Sequence, residues 1–343
     1  MLPMTKPDNS NPRDRPGEFE LIAAYFAPLA GEGSFGLLDD AALVRVTPGK
    51  ALAMTQDAIA AGVHFLRDDD PVSIARKALR VNLSDLAAKG AVPSAFSLAL
   101  GLHDDWDEAW VAGFAKGLAA DCAEFGLVLS GGDTFRASGG PVISITAWGE
   151  VDPERYASRL AARAGDRLYV TGAIGDAALG LRVRLGEPDY CALGGAGDLL
   201  ERYLVPAPPV AFAPLVAQFA SAAMDISDGF VGDLQKLARA SGVDFEIALD
   251  AVPFSASAIE ALALPGALET ALTGGDDYQI LLTVPEAGAA DFEASVGQGR
   301  VRVSLLGVAT KGSGRVSLLA PDGEALQLGR TSFIHFEPSQ SPT

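Results

Sequence analysis

Aspartates set beside small residues recur along this chain. They stand at Leu38-Asp39-Asp40-Ala41, Thr55-Gln56-Asp57, Asn82-Leu83-Ser84-Asp85, Gly131-Gly132-Asp133-Thr134, Asp225-Ile226-Ser227-Asp228-Gly229 and Gly274-Gly275-Asp276-Asp277. A turn or a helix cap explains any one of them, since Asp, Ser and Gly favour both. Six together, most adjoining apolar segments rather than solvated linkers, point to a shared use. Two carboxylates ~4 Å apart repel by about 1 kcal/mol in water and about 4 kcal/mol at an effective dielectric of 20. A fold that gathers several therefore needs cations to offset the charge. Oxygen donors dominated by Asp, with no His or Cys among them, suit Mg2+ rather than zinc or copper. Mg2+ held by a few carboxylates keeps water and bridges to phosphates, so the implied chemistry is phosphoryl transfer.

Other reaction centres are missing. The chain has no Gly-x-x-x-x-Gly-Lys-Ser/Thr loop, no His-Glu-x-x-His and no Gly-x-Ser-x-Gly elbow. Gly31-Glu32-Gly33-Ser34-Phe35-Gly36 matches the dinucleotide fingerprint in letters, but it follows a predicted helix, not a strand, and reads as a surface loop. His64, His103 and His335 are the three histidines. Cys122 and Cys191 form no disulfide framework or zinc cluster and are expected as buried packing residues.

The elements that must position these aspartates follow from apolar spacing. FELIAAYFAPL, SIARKALRVNLSDLAAKG (ending on Gly90) and DEAWVAGFAKGLAADCAEFG predict helices, while ALVRV, KALAMT, SAFSLALGL and VISITAWGEV predict strands. Beyond Pro153, DRLYVTG predicts a strand entering the helix AIGDAALGLRVRL. Further helices are expected near 210–222 and 229–241, with strands at 243–249, 279–284 and 302–308. Strands alternating with helices place both halves in an α/β or α+β class.

The 343 residues suit two domains. The expected division is 17–153 and 154–336, flanked by disordered tails at 1–16 and 337–343. A hydrophobic share of 49% with 20% charged residues is that of a globular protein. The 26 Lys and Arg against 44 Asp and Glu leave a formal charge of −18, which argues against nucleic-acid and anionic-membrane partners. No stretch reaches the ~20 apolar residues of a membrane helix. The N-terminal segment lacks the apolar core of a secretory signal, so a cytoplasmic location is expected.

The series DDAALV, TQDAIAAGVHF, VNLSDLAAKGAVP, LSGGDT, YVTGAIGDAALGL, MDISDGFVGDL and TGGDDYQI, in that order, resembles the thiamine-monophosphate kinases. Their superfamily includes aminoimidazole ribonucleotide synthetase, and the likeness runs from about Gly17 to Phe336. The resemblance implies a two-domain aminoimidazole ribonucleotide synthetase-like fold, with mixed sheets flanked by helices and dimerisation through the N-terminal domain. It implies ATP and thiamine monophosphate binding in a cleft between domains, with direct in-line transfer and no covalent protein nucleophile. By the same resemblance, Asp40, Thr55, Gln56, Asp57, Asp85, Asp133, Asp225 and Asp228 match positions that hold several Mg2+ ions. Gly132, Asp133, Arg159 and Ser227 match ATP contacts, and His64, Asp276 and Phe333 match contacts to the thiamine substrate.

Residue chemistry agrees with these roles, with plain alternatives beside them. Arg159 presents a planar multi-donor cation suited to phosphate, or is a solvated arginine like Arg155 and Arg163 nearby. His64 is a donor to phosphate or pyrimidine, or a core histidine; Phe333 is a stacking face or a core residue. TGAIGDA feeds a helix N-terminus able to hold an anion, or serves close packing. Three positions depart from the family pattern: Leu38 replaces a glycine, Gln56 a hydroxyl residue and Asp276 a glutamate. The alternatives are a hydrogenase-maturation or selenophosphate-forming relative, or a non-catalytic nucleotide-binding one. The first typically needs a C-terminal cysteine, where this chain reads Gln-Ser-Pro-Thr; the second needs one near the N-terminus, where none precedes Cys122.

Overall fold

Helices and strands alternate along most of the chain. The computed structural model describes residues 15–103 and 105–332. Its helices are α1 (Glu18–Leu21), α2 (Pro71–Ala88), α3 (Glu108–Phe125), α4 (Asp176–Arg184), α5 (Pro188–Cys191), α6 (Ala196–Leu204), α7 (Ala213–Phe219), α8 (Phe230–Ser241), α9 (Ala256–Ala261), α10 (Ala267–Thr273) and α11 (Glu286–Val296). The strands are β1 (Ala51–Ala60), β2 (Val92–Leu102), β3 (Val128–Arg136), β4 (Val142–Val151), β5 (Arg167–Thr171), β6 (Ala222–Asp225), β7 (Val243–Ala248), β8 (Ile280–Val284), β9 (Val303–Val308), β10 (Thr310–Lys311) and β11 (Val316–Leu319). They form sheets ordered β1-β4-β2-β3, β6-β8-β5-β9 and β10-β7-β11, the mixed α/β architecture that strand–helix alternation implies.

Among the described residues two compact units emerge: residues 15–45, 58–78 and 95–145 (without 104) in one, 46–57, 79–94 and 146–332 in the other. In the first, β2 runs parallel to β3, with a bulge opposite Phe96 and Ser97 that leaves Ser130 outside the register. Beyond the bulge, a Cβ on Gly132 would lie 1.9 Å from the Leu98 carbonyl oxygen, so only glycine fits there. Helix α3 begins where Asp107 accepts a hydrogen bond from the Trp110 N–H (2.7 Å) and ends at left-handed Gly126.

In the second unit the β6-β8-β5-β9 sheet is antiparallel and buried on both faces. Leu168, Val170, Met224 and Leu281 face a core with Phe230, Leu234 and Leu237 of α8. The alternate residues Tyr169, Ala223, Ile280 and Leu282 face Phe212, Val216 and Phe292. Ala87 and Ala88 belong to that second core, which seats the last turn of α2 against the sheet, beside the end of β6.

Several expectations change. Residues 42–46 form no strand: Leu43 donates its N–H to the Gly33 carbonyl (2.9 Å), and Leu43, Val44 and Val46 remain exposed. Glu32–Leu37 is a short 3-10 segment rather than an open loop, kinked at Phe35 and Gly36, where φ turns positive. Cys191 is exposed at the end of α5, and Cys122 is only half-buried. The alanines that follow them, Ala123 and Ala192, are exposed as well, so a small apolar neighbour does not mark a buried face. Residues 1–14, Asp104 and 333–343 lie outside the described residues, and with them most of both expected tails and Phe333. No helix among the described residues is long and apolar enough to cross a membrane.

Candidate active site

The end of α2 gathers three of the aspartate motifs within the second unit. The Thr55 hydroxyl on β1 donates to the Asp85 carboxylate at 2.5 Å. Two residues along β1, the Asp57 backbone N–H donates to the Asn82 side-chain oxygen at 3.0 Å. On the side of α2 facing β6, the Ser84 hydroxyl donates to Asp225 Oδ2 at 2.9 Å. A helical turn thus aims Asn82 and Asp85 at one strand and Ser84 at another, because residues three apart share a face and the one between them does not.

Electrostatics registers this crowding. Burial, then the charges of Asp85 and Asp228, pushes the Asp57 carboxyl up to about 6. Asp57 still keeps an open edge to solvent, so the crowding is one-sided. Asp225, buried at the end of β6, is pushed well above the usual carboxylate range by burial and by Asp85, with the Ser84 hydroxyl opposing the shift. Burying an uncompensated carboxylate costs several kcal/mol, and here the compensation from protein donors is small. An oxygen-only donor set whose charges repel one another is the chemistry of a hard divalent cation site. Among the described residues, no three His, Cys, Asp or Glu side chains stand together as a group that could hold a metal ion. The donors fit Mg2+ in type and charge.

A zipped pair of loops holds the next motifs. Ile226 N–H reaches the Gln279 carbonyl (2.8 Å), Tyr278 N–H the Ile226 carbonyl (2.8 Å), and Asp276 N–H the Ser227 carbonyl (2.9 Å). A Cβ on Gly275 would sit 2.4 Å from the Ser227 oxygen, and one on Gly229 (φ 123) would sit 2.7 Å from the Thr273 carbonyl carbon. Asp276 and Tyr278 both take positive φ, which costs a non-glycine residue of order 1–3 kcal/mol. The Tyr278 hydroxyl donates to Asp276 Oδ1 at 3.1 Å. Buried Asp233 accepts the N–H groups of Ser227 (2.9 Å) and Asp228 (2.8 Å), fixing the turn before α8. Asp228 itself is paired with Lys236 at 2.5 Å.

The remaining expected site residues stand apart from this group in what they touch. Gln56 is exposed on β1, and Arg159 is exposed before β5 while its positive charge helps hold the Lys89 amine down to about 8, after burial. In the first unit, Asp40 and Asp133 are exposed, and the Asp40 N–H is taken by Asp39 (2.8 Å). Gly132 lies on β3 next to Asp133. The half-buried His64 accepts the Ala60 N–H through Nδ1 at 3.2 Å; in the neutral ring this leaves its proton on Nε2 as a donor.

Four supporting residues went unrecognised in the sequence. Asn82 and Ser84 stand inside the VNLSD motif, where their polar type in an apolar helix was the available signal. Lys89 donates to the Ala223 carbonyl at 2.6 Å, and Lys236 bridges Asp228 and Asp233. Nothing in the local pattern marks either lysine.

Comparison with known proteins gives the family of the chain. Models for AIR synthase related protein match residues 38–151, as the N-terminal domain, and 163–318, as the C-terminal domain. The thiamine-monophosphate kinase of Caulobacter vibrioides is 40% identical over 306 residues, covering 87% of this chain and 86% of that protein. This chain belongs to the thiamine-monophosphate kinase family. A thiamine-monophosphate kinase structure from Stenotrophomonas maltophilia K279a superposes with a TM-score of 0.76 at 35% identity, covering 84% of this chain and 91% of that one. AaThiL complexed with AMPPCP and TMP gives a TM-score of 0.74 at 31% identity, covering 89% and 97%. In this thiamine-monophosphate kinase family member, Arg159 falls in the stretch 152–162 between the two domain matches.

Proposed function

We propose that the chain is an ATP-dependent thiamine-monophosphate kinase, giving thiamine diphosphate and ADP. The observation that carries this reading is the Asp57, Asp85, Asp225 and Asp228 group around the end of α2, in a chain of this family. A phosphate oxygen of thiamine monophosphate forms the new bond to the γ-phosphorus, and the bond to the β–γ bridging oxygen breaks, leaving with ADP. No protein nucleophile is needed, because a phosphate monoester is already largely ionised at neutral pH.

Several Mg2+ ions are part of the proposal, held by Asp57, Asp85, Asp225 and Asp228, with Thr55 and Gln56 as minor oxygen donors and Asp40 and Asp133 as further ligands. When bound, Mg2+ supplies charge neutralisation and polarises phosphoryl oxygens. The chain's own groups pre-position that set: Thr55 orients Asp85, Asn82 fixes the β1 backbone at Asp57, and Ser84 orients Asp225. Arg159 offers a forked donor to ATP phosphates, with Ser227, Asp133 and Gly132 as further ATP contacts. His64, through its Nε2 donor, and Asp276 are proposed substrate contacts, with Phe333 as a third.

The proposal extends to a division at about 153, a cytoplasmic location and a homodimer. Exposed Leu52 and Met54 on β1 support a dimer surface, which sedimentation checks. Incubating the protein with ATP, Mg2+ and thiamine monophosphate tests the activity. Thiamine diphosphate and ADP should form in equal amounts, and a folded protein that forms neither overturns the assignment.

A further inference from the structure

A cavity of about 440 Å3 opens in the second unit between the start of α4, the end of α6 and the segment leading into β9. Arg202, Arg300 and Arg302 all line it. None of the three exposed guanidinium groups has a hydrogen bond or ion pair among the described residues, and the charge of Arg202 also acts on Asp176 in the same wall. The acceptors in the wall are already engaged. Asp277 takes the Gly175 N–H on both oxygens, at 2.9 and 3.0 Å. Asp176 takes the Ser255 hydroxyl at 2.6 Å, and Asp276 takes the Tyr278 hydroxyl. Gln279 accepts from Thr171 and donates to the Ala207 carbonyl. The Gly175 N–H is thereby engaged by Asp277, and the three arginines bring the positive charge that lines this space.

Each guanidinium carries five donors in a rigid fork and cannot be deprotonated. Three of them around one hollow match the several oxygens and double charge of a phosphate group better than a single carboxylate. Burial also pushes the Asp176 and Asp277 carboxyls upward, which weakens their opposition to an incoming anion. A hollow of this size also lies in the range of small-molecule sites, ~300–1,000 Å3. We propose that this cavity binds a phosphate-bearing small anion through Arg202, Arg300 and Arg302. The site needs no metal, so its test is separate from that of phosphoryl transfer, while Asp276, a proposed substrate contact, lines the same hollow and ties the inference to that reading.

Calorimetric titration of the full chain in EDTA, without thiamine monophosphate, tests this with inorganic phosphate and, separately, with AMP. One probe at least should bind with saturable 1:1 stoichiometry. Binding should weaken by at least about tenfold in R202Q/R300Q/R302Q and stay unchanged in R155Q/R163Q, which removes two exposed arginines elsewhere. Equal affinity for the two probes identifies free phosphate as sufficient, and tighter AMP identifies a nucleotide. The single variants, each losing part of the affinity, carry the test should the triple variant fold poorly. The proposal fails if neither probe saturates at millimolar concentration. It fails equally if the arginine variants bind as tightly as the parent chain.

Discussion

Asp57 shows how a single carboxyl links metal affinity to stability. Its folded-state pKa of about 6 lies above the ~3.9 of an unfolded Asp. The folded chain therefore holds the extra proton between those values, and stability from this group is full below about pH 4 and lost as pH rises through about 6. In EDTA, the melting temperature of the parent chain should fall between pH 5 and 7 relative to Asp57→Asn, and parallel pH profiles would refute the crowding. The same substitution removes a proposed Mg2+ ligand, so kcat/KM should drop on the order of 100-fold or more while the metal-free variant melts no lower than the parent at pH 7. Loss of fold together with activity would instead mark Asp57 as structural.

At the scale of elements, two loops carry tight backbone demands. Gly229→Ala places a methyl against the Thr273 backbone at φ 123, and should destabilise the chain by about 1–3 kcal/mol, read by urea denaturation. An unchanged midpoint would show that the α8 entry has slack. Asp244 tests a different loop: it accepts N–H groups from Ser313 (2.8 Å), Gly314 (2.9 Å) and Arg315 (2.7 Å), which with the Arg315 side chain hold its carboxyl down to about 2. That stabilisation is complete above pH ~4 and lost as pH falls toward 2. The melting gap between parent and Asp244→Asn should therefore shrink on acidification, and a constant gap would refute it. Elements with strong periodicity, such as α2, α3 and β4, were legible from sequence, and so was the aspartate series. The strand β3 was not, because two glycines and a bulge hide its alternation. Nor was β6, where three small or apolar residues ahead of Asp225 continue the pattern of the preceding helix. ALVRV reads as a strand by composition, yet no neighbouring strand pairs with it. The lysines that steady the site, Lys89 and Lys236, act across 134 and 8 residues of sequence and leave no local pattern.

For the whole molecule, the −18 charge is unevenly spent. Part of it is the solvated surplus of any acidic protein, screened by salt over a Debye length of about 10 Å at 0.1 M. Another part is the crowded group around the end of α2, where Asp57 and Asp225 resist ionising and bulk ions give little relief. These two parts respond differently to cations. A site occupied at a hundred times its Kd adds about 2.7 kcal/mol, enough to raise the melting temperature by several degrees in a chain of this size. Mg2+ with a nonhydrolysable ATP analogue should therefore stabilise the protein well beyond NaCl of matched ionic strength. Asp57→Asn should lose most of that excess, whereas Asp244→Asn, remote from the group, should keep it. If NaCl alone reproduced the rise, the charge would be relieved by general screening, and the aspartate group would not be the place where Mg2+ acts.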